Sequence, residues 1–169
     1  PAAQALNARG AGQVVAVLDT GFDVDHPYLA GRIVAEACFS QPGTAANPNE
    51  KGHFSNCPGG TARETGPGSS RFHADPGYYG LYHGTHVAGI VAGKGDSFGG
   101  VAPDAGLILA NVYYRRPRSQ CPKNFHKSYV GCMLAWPSDI LSALEWVFKQ
   151  RRTFSIAAVN MSFGGGSSK

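Results

Sequence analysis

The chain has 169 residues, of which 43% are hydrophobic and 15% charged, and it carries a formal net charge of +4. A chain of this size fits one domain with a buried core, and this composition excludes a disordered acidic or basic tail. The 23 glycines and 11 prolines require many tight turns and long connections.

Residues 14–18 form a continuous apolar run rich in β-branched side chains, ending at Asp19-Thr20-Gly21. A short run without polar alternation predicts a strand buried on both faces. Residues 84–93 (GTHVAGIVAG) predict a helix of small residues suited to close packing, and residues 107–112 a second buried strand. Ser138 is placed to cap a helix over 139–152, with Asp139 in the favourable first turn and basic residues in the last. Ile140, Leu141, Leu144, Val147 and Phe148 share one face at helical spacing. Residues 159–163 predict a third strand. Strands alternating with helices imply an α/β fold, a parallel sheet flanked by helices with right-handed crossovers. Chemistry in such sheets gathers beyond the carboxyl ends of strands, where Asp19 and Ser162 fall. Two long segments, 38–82 and 113–137, interrupt the pattern and read as irregular.

Cys38, Cys57, Cys121 and Cys132 form no C-x-x-C pair, which argues against a zinc knuckle or a thioredoxin-type site. All four fall in Gly/Pro/Ser-rich connecting segments, which suits two disulfides and an oxidising compartment. Three pairings exist. Cys38–Cys57 and Cys121–Cys132 are favoured because each closes a local loop. No apolar run approaches the ~20 residues of a membrane span, so no membrane partner is expected. Arg115, Arg116 and Arg118, and again Lys149, Arg151 and Arg152, form small basic groups that read as solvated loops, not as a nucleic-acid surface.

Two motifs carry chemistry: VVAVLDTGFD, ending at Asp23, and HGTHVAG, starting at His83. A carboxylate at a buried strand's end can fix the tautomer and orientation of a neighbouring imidazole, which then acts as a general base. Taken from the residues alone, an Asp at a strand end is more often a capping residue and a lone His more often a core histidine than members of a catalytic pair. Both readings stay open at this point.

The pair VAVLDTGFD and HGTHVAG resembles the aspartate and histidine boxes of the subtilase family, in the family's order. The resemblance continues through GGVAP at 99–103, the helix around 140–147, and VNMSFGG at 159–165. It implies a secreted serine endopeptidase in which Asp19 is the triad aspartate and His83 the general base. It also implies that Ser162, Phe163 and Gly164 pair with an extended peptide and border its P1 pocket, with Leu134 and Ala135 on the opposite wall. His86 is then a structural, hydrogen-bonded residue.

No Gly-Thr-Ser-x-Ala box occurs in the chain, so the nucleophilic serine and the oxyanion asparagine are missing from it. Residues 1–169 are therefore expected to be the N-terminal portion of one peptidase domain, its sheet incomplete without the C-terminal half. By itself the portion is expected to be inactive, its partners being the remainder of that domain and protein or peptide substrates. Ser167 and Ser168 are not substitutes. Leader and propeptide are expected outside this stretch.

No cofactor is required by this chemistry and no metal ligand set is assigned. Structural calcium is possible, but its ligands are not identifiable, because Tyr28 stands where many bacterial relatives carry a calcium-binding Asp. Asp23, Asp25 and Asp96 leave other positions open. The forms D-T-G and HGTH point away from the dibasic-cleaving branch. The alternative reading is a non-catalytic peptide-binding module.

Overall fold

The computed structural model describes residues 8–44, 47, 50–73, 76–122 and 128–164. The three apolar runs form parallel strands of one sheet. They are β1 (Val14–Asp19), β6 (Gly106–Asn111) and β9 (Ile156–Asn160). With β2 (Ile33–Phe39) and the short β4 (Arg63–Thr65) they stand in the order β4-β2-β6-β1-β9, with β4 alone antiparallel.

Alternation along β1 divides the core. Val14, Ala16 and Leu18 face the helix α2 (Pro137–Gln150), packing with Ala143, Trp146 and Val147. Val17 faces the opposite side, where Ala88 and Ala92 of the helix α1 (His83–Ala92) pack with Phe22, Leu107 and Leu109. The result is an α/β/α sandwich. By the same two-residue period Asp19 leaves β1 on the α1 side, which is the side on which His83 stands.

The two long segments are not irregular. They contribute β3 (Phe54–Ser55), β5 (Tyr78–Tyr79), β7 (Tyr113–Pro117) and β8 (Gly131–Ala135), joined as a second sheet in the order β3-β7-β8-β5. Cys38 lies in β2 and Cys132 in β8, so these two cysteines sit in strands and not in connecting loops. The disulfides are Cys38–Cys57 and Cys121–Cys132.

Three element boundaries differ from expectation. The last strand is Ile156–Asn160, displaced from 159–163 because its ladder with β1 ends at Val17 opposite Asn160. Helix α2 begins at Pro137 after Trp136, so Ser138 is inside the first turn and caps nothing; proline's fixed φ suits that first position. Leu141 and Phe148, assigned to the buried face, are each 62% exposed.

Candidate active site

Asp19 closes β1 and is wholly buried, 0% exposed. Its Oδ1 accepts the Thr20 backbone N–H at 2.7 Å and faces His83 Nδ1 at 2.8 Å. Its Oδ2 has no hydrogen-bond partner among the described residues. His83 is the first residue of α1, and its side chain is 47% exposed. A bond to a carboxylate places the hydrogen on Nδ1 and leaves the Nε2 lone pair as the basic position. The pair thus joins a fixed, desolvated carboxylate to an imidazole open on its other side.

The approach of the two motifs depends on their small residues. A Cβ at Gly84 would lie 2.4 Å from Gly21 O and 3.1 Å from Asp19 Cβ. Gly21 has φ +104°, and a Cβ there would meet Asn111 Nδ2 and Phe72 at 2.9 Å. Glycine is therefore required at both positions, sterically at one and by conformation as well at the other.

The threonines of the two motifs then tie them together. Thr20 Oγ1 accepts the Gly84 N–H at 3.1 Å, satisfying a helix-start donor that Tyr82 leaves uncapped. Thr85 Oγ1 accepts the Asp23 N–H at 2.9 Å. Motif reading passed over these two hydroxyls. The available signal was that each lies beside the glycine that brings its strand and helix into contact.

Behind the turn stand two buried asparagines, Asn56 and Asn111, both 0% exposed. Asn111 is the register partner of Asp19 on β6, and its Oδ1 accepts the Tyr113 N–H at 3.2 Å. Burial, together with the negative charge of Asp19, pushes the Tyr113 phenol up to about 12. Tyr113 therefore lies within electrostatic reach of the dyad.

Tyr113 also gathers part of the expected peptide-binding set. Its ring meets Phe163 edge-on, with centroids 5.6 Å apart, and in the β7–β8 ladder it pairs with Ala135. Leu134 pairs with Tyr114 and so projects from the opposite face. Ser162 lies beyond β9, exposed, its hydroxyl exchanging hydrogen bonds with the Asn160 side chain at 2.9 and 3.2 Å. Gly164 is exposed, and Ser167 and Ser168 lie outside the described residues.

His86 is exposed, and its backbone N–H donates to Tyr82 O at 3.2 Å. It lines an apolar depression with Tyr28, Ile90, Phe98 and Val101, where the expectation was a structural, hydrogen-bonded residue. Among the described residues no group of three or more His, Cys, Asp or Glu could hold a metal ion. In the Tyr28 loop, Asp25 is paired with Arg71 at 2.5 Å, and the Tyr28 ring packs on Phe98 at 4.8 Å. No helix among the described residues is long and apolar enough to cross a membrane.

The sequence model of the subtilase family matches residues 10–169. The chain is 37% identical over 112 residues to the subtilisin-like protease PopC of Myxococcus xanthus, covering 66% of this chain and 18% of that protein. It is 30% identical over 177 residues to bacillopeptidase F of Bacillus subtilis, covering 99% and 10% respectively. With fervidolysin of Fervidobacterium pennivorans the identity is 36% over 135 residues, covering 78% and 16%. The chain thus spans less than a fifth of the length of these relatives.

Proposed function

The chain belongs to the subtilase family, and on that premise we propose that it supplies the acid–base half of a serine endopeptidase site. The observation that carries this reading is the 2.8 Å contact between a fully buried carboxylate at a strand end and a half-exposed imidazole at a helix start.

The chemistry follows from that arrangement. Asp19 holds Nδ1–H, so Nε2 takes the proton of an attacking serine hydroxyl as the oxygen adds to the scissile carbonyl. Asp19 stays ionised and stabilises the imidazolium that forms. The imidazolium then protonates the departing amine. A water molecule, deprotonated by the same Nε2, hydrolyses the acyl-enzyme. The serine and the oxyanion donor come from outside residues 1–169, in keeping with relatives at least five times longer than the shared region. Peptide substrates lie extended along Ser162-Phe163-Gly164 with Ala135 on the opposite wall, Tyr113 packing on Phe163 and pairing with Ala135. The protein acts in an oxidising, extracytoplasmic setting, for which its two disulfides are the support.

The test uses the complete protein and a reagent that phosphorylates activated serines, followed by peptide mapping. One labelled serine outside residues 1–169 is expected, and His83→Ala should abolish both labelling and peptide hydrolysis. Label on Ser162, or labelling that survives His83→Ala, would overturn the assignment.

A further inference from the structure

One buried side chain behind the site is more extensively bonded than packing requires. Asn56 lies between β3 and β4, inside a segment that sequence reading treats as an irregular insertion. Its Nδ2 donates to Thr20 O at 2.9 Å and to Asn111 Oδ1 at 3.4 Å, and its Oδ1 accepts the His73 N–H at 3.3 Å. Its backbone is fixed as well: the N–H donates to Ser40 Oγ at 2.7 Å, and the carbonyl accepts from Asn111 Nδ2 at 3.2 Å. The next residue, Cys57, is bonded to Cys38 on β2, and both cysteines are 0% exposed.

One of these bonds, from Nδ2 to Thr20 O, reaches the turn that follows Asp19. Thr20 is the residue whose N–H bonds Asp19 Oδ1 and whose hydroxyl caps the helix bearing His83. Its carbonyl is its one remaining main-chain polar group, and Asn56 holds it. We propose that Asn56, anchored by the Cys38–Cys57 disulfide, is a positioning residue that sets the Asp19–Thr20 turn against the start of α1 and so fixes the Asp19–His83 hydrogen bond. The inference deepens the peptidase reading and rests on it for its kinetic consequence.

Reacting groups must be placed to within about an ångström, and misplacement on that scale costs roughly a hundredfold in rate. In the complete protein, Asn56→Ala should therefore lower kcat by about ten- to a hundredfold while KM stays within about twofold. The NMR resonance of the His83 Nδ1 proton should broaden or vanish. Ser70→Ala is the control: Ser70 is equally buried and loses a 2.7 Å bond to Glu36, but it does not touch Thr20 through its side chain. It should lose stability comparably and keep both kcat and the resonance.

Where Asn56→Ala does not accumulate folded, Asn56→Asp asks the same question, because it keeps the acceptor for His73 and removes the amide donor to Thr20 O. The proposal fails if a folded Asn56 variant matches Ser70→Ala in kcat and in the Nδ1 resonance. It fails also if neither Asn56 variant folds while Ser70→Ala does, since that shows a purely structural role. A resonance lost on Asn56 substitution in a parent that hydrolyses no peptide would sink the peptidase reading and leave the positioning role standing.

Discussion

Replacing Asp19 by asparagine changes one atom, and the structure indicates what each term of the change is worth. Both donors, Thr20 N–H and His83 Nδ1–H, point at the same oxygen, Oδ1. An amide that keeps its oxygen there retains both bonds and the productive tautomer, and loses only the charge. Two unit charges about 4 Å apart in an effective dielectric near 20 interact by about 4 kcal/mol, or roughly three powers of ten in the stability of the imidazolium. An amide turned the other way places N–H against the Thr20 N–H and forces the wrong tautomer, so it reaches the full loss of roughly 10⁴. Asp19→Asn in the complete protein should therefore cut kcat/KM by about 10³ to 10⁴.

Stability should respond differently. Oδ2 is buried without a hydrogen-bond partner among the described residues, so the parent already buries a charge with one oxygen unsatisfied, a costly state. The amide removes the charge but orphans an NH₂ group, at a cost of about 1–3 kcal/mol. These terms oppose each other, and Tm should stay within about 3 °C of the parent. The assay is hydrolysis of a chromogenic peptide amide, with His83→Ala as the floor and calorimetry alongside. Activity within about tenfold of the parent would refute the placement of Asp19. A collapse of Tm would refute the balance of terms.

Gly84→Ala sets a Cβ 2.4 Å from Gly21 O and should destabilise by about 1–3 kcal/mol by overpacking, seen as a lower denaturation midpoint together with at least tenfold lower kcat. Cys38→Ala with Cys57→Ala opens a bridge of sequence separation 19 and should cost about 3 kcal/mol in chemical denaturation; an unchanged midpoint would deny the staple. Burial raises the carboxyl of Asp139 above its ordinary range, against the Gln41 N–H bond that lowers it. With the folded value the higher one, the native state binds the proton more readily, so this group's contribution worsens as pH rises from the ordinary carboxylate value through the raised one. Asp139→Asn should then gain stability relative to the parent across that rise, and a gain that grows toward acid would reverse the sign. Residues 1–169 produced alone should self-associate and bind a hydrophobic dye, since Ile90, Phe98, Leu141, Phe148 and Val159 lie exposed; a monodisperse chain with one sharp melt would contradict this.

What could be read from the chain beforehand was whatever is encoded locally. The strand ending at Asp19 and the helix starting at His83 appear in the sequence as an apolar run and a small-residue helix, and the residues that join them lie within those same runs. Strands β3, β4 and β5 have two or three residues each, too few for any alternation to register. They are ordered by partners tens of residues away and by the disulfides. Asn56 was invisible for the same reason, since an asparagine in a Gly/Pro-rich stretch has the appearance of turn chemistry until Thr20 and Asn111 are seen around it. The face of α2 was misjudged because Leu141 and Phe148 are apolar at helical spacing, and spacing alone does not say which apolar stripe is covered.

The uncovered stripe and the open side of the dyad have a common border. Strand β9 carries no charge and no proline, which is unusual for an edge that must resist pairing with other chains. Yet it pairs on one side only among the described residues, and Ala157, Ala158 and Val159 are exposed. Its composition is that of an interior strand of a parallel sheet, buried on both faces. Beside it Phe148 of α2 is exposed, and across the sheet so is Ile90 of α1. The same strand runs directly into Ser162-Phe163-Gly164, whose phenylalanine reaches Tyr113 near Asp19. Protein that covered this edge would therefore arrive alongside the expected peptide cleft and the half-exposed His83. The apolar edge of β9 and the half-exposed imidazole of His83 thus flank the same end of the sheet, so whatever packs on the first lies beside the second.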